Sequence, residues 1–240
     1  MPSLRASALT DIGRVRRQNE DRYLLDPALR LFGVADGVGG LPGGAEAAQQ
    51  AINDVDGAFR GLTNGQQPDL TAIILKTNEN VAELGRKLSP GMGIGTTLTF
   101  GYVVDGAMRI GHVGDSRCYA WRKGEFRRLT EDHSVENEAR LRRAKGEVVY
   151  YHEANRNALT RCIGQPTPPE VDLISHTLQA GDRILFCTDG VTRMIPDSEM
   201  AAMLAQNGEA ETLLREIITL AVRRGGPDNA TGVLVIVDEV

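Results

Sequence analysis

The sequence predicts an α+β fold in which antiparallel sheets carry helices on their outer faces. Three observations point there. The expected elements run strand, two helices, a meander of strands, two helices, strand. The apolar period changes from helical spacing to strict alternation at Thr96. The regular strand–helix alternation that a doubly wound parallel sheet requires is missing.

In chain order, residues 4–9 read as an edge strand, and residues 31–35 as a short buried strand that ends in Asp36-Gly37. Residues 45–59 place Ala48, Ile52, Val55 and Phe59 at helical spacing, and residues 70–88 place Leu70, Ile73, Ile74, Val81 and Leu84 on one helical face. Residues 97–104, 107–113 and 117–121 alternate as successive strands. Asp105-Gly106 is the hairpin turn between the first pair, and Lys123-Gly124 is a similar turn before Phe126. Residues 171–176 and 183–187 are further strands, 198–204 and 209–223 are helices, and 232–237 is an unbroken apolar strand.

Composition narrows the function. The chain has 240 residues, with 27 Lys and Arg against 32 Asp and Glu, a net charge of −5. That balance argues against non-specific nucleic-acid binding, which needs clustered cations. No run of apolar residues is long enough to cross a membrane, and the N-terminus has no signal-peptide core. Cys118, Cys162 and Cys187 are an odd set without zinc-ligand spacing, as expected of reduced thiols in a cytoplasmic protein. Without repeats or a linker, one domain over residues 1–240 is expected, and without an exposed apolar stripe, a monomer.

Two glycine-rich segments invite a nucleotide-loop reading. Gly91-Met92-Gly93-Ile94-Gly95 lacks the dinucleotide spacing and precedes a strand. Gly39-Gly40-Leu41-Pro42-Gly43-Gly44 precedes a helix but lacks the Lys-Ser/Thr of a phosphate loop. It reads either as a flexible connection or as backbone kept clear beside a small charged ligand, since it follows Asp36 directly.

The carboxylates carry more information. An apolar strand ends in Asp followed by a permissive turn residue in Val34-Ala35-Asp36-Gly37 and again in Phe186-Cys187-Thr188-Asp189-Gly190. Gly226-Pro227-Asp228-Asn229 mirrors this before a strand, and Gly114-Asp115-Ser116 and Glu20-Asp21 are further candidates. Any one Asp-Gly is more often a turn than a ligand. Several acids at converging strand ends are different, because clustered carboxylates repel unless a cation or a proton neutralises them. Oxygen donors without Cys or His suit Mg²⁺ or Mn²⁺. His112, His133, His152 and His176 lie far apart and read as structural or exposed. Arg14, Arg16 and Arg17 precede Glu20-Asp21, and a guanidinium fork suits a phosphate. Carboxylate-held metals with one Arg are a constellation for phosphoryl transfer to water.

These residues resemble a known family. Gly13-Arg14-Val15-Arg16-Arg17-Gln18-Asn19-Glu20-Asp21 and Val34-Ala35-Asp36-Gly37-Val38-Gly39-Gly40 look like the first two motifs of the metal-dependent, type 2C serine/threonine protein phosphatases. Gly95-Thr96-Thr97, Gly111-His112-Val113-Gly114-Asp115-Ser116-Arg117 and Leu129-Thr130-Glu131-Asp132-His133-Ser134 follow in the family's order, as do Asn157-Ala158-Leu159-Thr160-Arg161, Thr188-Asp189-Gly190 and Pro227-Asp228-Asn229. The short form resembles the bacterial members.

The resemblance implies a four-layer αββα sandwich, two antiparallel sheets flanked by helices, with a centre of two Mn²⁺ or Mg²⁺ ions between the sheets. It implies that Asp36 bridges both ions, the Gly37 carbonyl holds one, and Asp189 and Asp228 hold the other. Glu20 would serve the centre directly or through water, with Asp21 beside it. Arg16 would grip the phosphate, Asp115 would contribute to a third, weaker ion site, and Thr96 and Asn229 would support the ligands. The implied reaction is hydrolysis of phosphoserine and phosphothreonine on proteins, reversing a cognate Ser/Thr kinase. Residues 136–156 match the family's variable flap, expected to bias substrate choice. Three positions depart from the pattern: Leu41 stands where many bacterial relatives have His, Val38 where eukaryotic relatives have His, and Arg193 where some members have a carboxylate. A cation at 193 opposes a third metal. The alternatives are a non-catalytic phosphoprotein-binding or scaffold relative, and a regulatory phosphatase dedicated to one anti-sigma-type partner.

Overall fold

A computed structural model describes residues 2–40, 42–63 and 66–240, so the Leu41 departure lies outside the described residues. Ten strands form two antiparallel sheets. The first contains β1 (Ser3–Asp11), β10 (Ala230–Glu239), β9 (Arg183–Cys187), β6 (Arg117–Arg122) and β7 (Glu125–Arg128), in that spatial order. The second contains β2 (Asp21–Asp26), β3 (Leu31–Asp36), β4 (Leu98–Val104), β5 (Ala107–Val113) and β8 (Asp172–Thr177). The edge position expected for residues 4–9 is that of β1.

The alternation along the strands explains the layering. On β10, Val233, Val235 and Val237 join Phe32, Val34, Ile110 and Phe186 in the core between the sheets. The intervening Leu234 and Ile236 pack on the opposite side against Leu214, Ile217 and Ile218. These belong to α6 (Ala210–Arg223), which with α5 (Asp197–Leu204) covers the first sheet. Leu31 and Ala35 of β3 likewise face away from the inter-sheet core, toward α1 (Gly44–Arg60) and α2 (Leu70–Leu88). Both faces of β10 and β3 are therefore buried, which is why they read as apolar runs without alternation. The result is the αββα order.

Several elements went unread in the sequence, β2 and α3 (Val135–Ala144) chief among them. β2 pairs with β3 in register, Asp21 opposite Asp36 and Leu24 opposite Gly33. α3 lies in the polar segment, followed by a 3-10 turn at Glu153–Asn155. Its Ser134 cap accepts from the Asn137 N–H, with Glu136 and Glu138 in the first turn and Arg142 and Arg143 in the last.

Candidate metal centre

Strand register brings the acids to one rim. In the first sheet Cys187 is opposite both Gly232 and Arg117, so Asp189, Asp228 and Asp115 lie just beyond one row. In the second sheet Asp21 faces Asp36 at the strand ends, and Leu98 is opposite Val113, two residues before Asp115. Five aspartates from distant parts of the chain thus meet where the two sheets open. Asp189 starts the short helix α4 (Asp189–Thr192) directly after β9.

The glycine beside two of these acids acts differently from the turn role expected of it. Neither Gly37 nor Gly190 has a positive φ. A Cβ on Gly37 would come within 2.4 Å of the Gly44 backbone, and one on Gly190 within 1.9 Å of the Asn229 carbonyl oxygen. The missing side chain lets α1 start against the end of β3, and lets the Asp189 and Asp228 loops touch. These glycines bring backbones together; they do not reverse the chain.

The carboxylates repel one another. Asp36 is held well above the usual carboxylate range by burial and by Asp21, Asp189, Asp115 and Asp228. Burial pushes Asp21 up to about 7, against hydroxyl hydrogen bonds from Thr231 and Thr188 that lower it. Burial and Asp189 push Asp115 up to about 8, and Asp189 and Glu20 are raised chiefly by burial. Asp189 Oδ1 is buried without a hydrogen-bond partner.

The surroundings hold this rim by hydrogen bonds. The Thr188 hydroxyl donates to Asp21 Oδ2 at 2.8 Å, tying one sheet to the other. Asn229 accepts from the Glu20 N–H at 2.8 Å and donates to the carbonyls of Ile12 and Gln18, fixing the loop that carries Arg16. The Thr96 hydroxyl donates to the Asp36 carbonyl, and the Asp36 N–H donates to Thr97 Oγ1, both at 2.9 Å. Thr96 and Asn229 were singled out by their motifs. Thr97 and Thr188 were missed, although each stands next to a residue that was not.

Two guanidinium groups enter the cluster. Arg16 Nη2 donates to Asp228 Oδ2 at 2.7 Å. A Cβ on Gly39 would sit 3.0 Å from Arg16 Nη1, so this part of the glycine loop is backbone kept clear beside a charged group. Arg193 pairs with Asp189 and lies 3.9 Å from Asp115. Among the described residues no set of three or more His, Cys, Asp or Glu side chains is closed tightly enough to hold an ion as it stands. The donor chemistry nevertheless fits a hard divalent cation: carboxylate oxygens only, like charges raising one another, and an orphaned Asp189 oxygen.

Residues 14–219 match the family profile described as Protein phosphatase 2C. The chain belongs to the protein phosphatase 2C family. Its class is that of a metal-dependent protein-serine/threonine phosphatase with phosphorylated proteins as substrates. The serine/threonine phosphatase stp of Listeria innocua is 32% identical, with 97% of this chain and 95% of that protein aligned. The solved serine/threonine phosphatase of S. agalactiae is 32% identical over 98% of this chain and 100% of that one, with a TM-score of 0.86. PstP of Mycobacterium tuberculosis is 30% identical over the full length of both chains, with a TM-score of 0.82. A PstP catalytic domain was also solved in complex with two manganese ions. In this chain Asp36, Asp189 and Asp228 stand at the rim, with Arg16 at its edge. No helix among the described residues is long and apolar enough to cross a membrane.

Proposed function

We propose that the rim is the active site and that it hydrolyses phosphoserine and phosphothreonine esters with two divalent ions held by Asp36, Asp189, Asp228 and the Gly37 carbonyl. Glu20 and Asp21 complete the centre, Asp21 chiefly as a buried brace through Thr188. The observation that carries this reading is the convergence of five mutually repelling aspartates with Arg16 at their edge. Bound Mn²⁺ or Mg²⁺ supplies the positive charge these carboxylates need and the Lewis acidity that activates water and draws charge from the phosphate.

The chain's own groups do the rest. Arg16 is more than a third exposed and hydrogen-bonds through Nη2, so its fork can turn from Asp228 to phosphate oxygens. Thr96, Thr97 and Asn229 hold the Asp36 and Glu20 backbones so that the carboxylates need little reorganisation. Arg193 already supplies a cation between Asp189 and Asp115, which disfavours a third ion. The flap at residues 136–156 borders the site. A Ser/Thr kinase as counterpart, a cytoplasmic setting and a monomeric state belong to the same proposal.

The test is hydrolysis of a phosphothreonine peptide by metal-stripped protein, with and without added Mn²⁺ or Mg²⁺. Turnover only with metal is expected; equal turnover in a chelator would overturn the metal-centre reading.

A further inference from the structure

Asp115, Asp189 and Arg193 form one wall of a cleft of about 410 Å³, and Glu136 and Arg156 of the flap, with Asn157 just after it, form another. A second cleft of about 410 Å³ continues from it, sharing Arg117, Asp132, Ser134 and Glu136. Its charge is opposite to that of the rim. Arg117, Arg128, Arg140 and Arg143 line it with Tyr151, against Asp132 and Glu136 in the lining and Glu131 beside it.

The arginines are not equivalent. Arg117 is spent on a two-pronged pair with Asp132 at 2.8 and 2.7 Å. Arg128 and Arg140 share Glu131 at 2.9 and 3.0 Å. Arg143 sits over the Tyr151 ring at 5.3 Å and donates to the Val149 carbonyl. Among the described residues it is the arginine of this cleft that pairs with no carboxylate. On a chain of net charge −5, an exposed guanidinium kept beside a Tyr ring and facing a groove from the active-site rim is suited to an anion.

We propose that this basic cleft receives an acidic residue flanking the phosphorylated Ser or Thr, so that the phosphatase selects phosphosites with Asp or Glu on one side. The inference rests on the phosphatase reading above and assigns it a substrate class. The two clefts would orient the peptide by charge. The phosphate goes to the rim with its cations and Arg16, and the neighbouring carboxylate goes to Arg143 and Arg140.

The test compares three phosphothreonine peptides with the Mn²⁺-loaded enzyme: Glu-Glu before the phosphosite, Glu-Glu after it, and Ala at all flanking positions. One acidic series should show kcat/KM higher by about tenfold, mostly through KM, and the advantage should shrink as salt is raised. The double variant Arg140→Glu/Arg143→Glu should lose that preference. Its hydrolysis of p-nitrophenyl phosphate, too small to reach the basic cleft, should match wild type. Both arginines are exposed on α3, so the fold is not at stake. No acidic preference in wild type, or an equal preference in the variant, would overturn the proposal. Failure to hydrolyse either p-nitrophenyl phosphate or any peptide would instead overturn the phosphatase reading, and this inference with it.

Discussion

Two clusters of buried titratable groups lie close together in this molecule, and they are built on opposite principles. At the rim, carboxylates oppose one another and one oxygen, Asp189 Oδ1, has no partner. Beside it, the rings of His112 and His133 pack 4.7 Å apart with every nitrogen partnered. His112 Nε2 faces the Glu131 carbonyl at 2.9 Å, so it carries the proton, and Nδ1 accepts from the Thr99 hydroxyl at 2.8 Å. His133 Nδ1 accepts from the Gly114 N–H at 3.1 Å, so its Nε2 proton points to Asp172 at 3.2 Å. Burial alone therefore does not mark a site. The histidines are buried and satisfied, as structural groups are. The aspartates are crowded against like charge and leave Asp189 Oδ1 without a partner, a condition that a cation relieves.

The sharpest way to break this contrast is to remove one charge from each cluster. Asp36→Asn should cut Mn²⁺-dependent hydrolysis of a phosphothreonine peptide by at least about a thousandfold, since it removes the central ligand anion. The metal-free variant should melt no lower than wild type, because a repelling charge has gone. A melting point well below wild type would mean that Asp36 is a structural group after all. His133→Ala should do the reverse. It leaves the Gly114 N–H without its partner and Asp172 with Arg161 alone, costing about 2 kcal/mol in denaturant unfolding, while kcat per folded molecule changes little.

pH separates the clusters by sign. A carboxylate with a raised pKa holds its proton longer folded than unfolded, so its contribution to stability falls as pH rises toward the folded value. That loss starts at the ordinary value of 3.8 and runs up to about 7 for Asp21 and about 8 for Asp115, so it extends into the neutral range. The histidines are lowered, chiefly by burial, His112 to about 4. Their contribution is present above the ordinary value of 6.5 and is lost as pH falls below it. Metal-stripped protein should therefore lose stability between about pH 6.5 and 8, where the histidines are neutral in both states. Saturating Mn²⁺ should abolish that loss and release protons on binding. Thermal melts across this range with and without Mn²⁺ decide it. A metal-free stability that rises with pH there would contradict the carboxylate assignment.

Much of this was legible in the sequence, for reasons that differ by element. The helix at 70–88 and the strands at 107–113 and 183–187 coincide with α2, β5 and β9, because apolar periodicity reports a buried face directly. β2 escaped because its six residues, Asp-Arg-Tyr-Leu-Leu-Asp, begin and end in acids, and its strand character comes from pairing with β3. α3 escaped because it buries only Asn137 and Ala139, leaving no apolar stripe to read, although its acidic first turn and basic last turn were available signals. The acids of the rim were visible as strand-end motifs. Arg16 and Arg193 were named there too, but the pairing of Arg16 with Asp228, 212 residues away, is made only by the fold.

Arg193 gives the smallest and most particular test, because it sets a cation against two of the rim's own carboxylates. Its guanidinium pairs with Asp189 and stands near Asp115, so a cation binding those oxygens must displace it or share them. The side chain is more than a third exposed, so solvent screens the effect. Arg193→Ala should then tighten Mn²⁺ binding by about three- to tenfold in calorimetry. Arg193→Asp should go further and add a weaker binding event that Asp115→Asn removes again. Unchanged affinity and stoichiometry in both variants would mean that Arg193 yields its partners without cost, and that Asp115 takes no part in holding a cation.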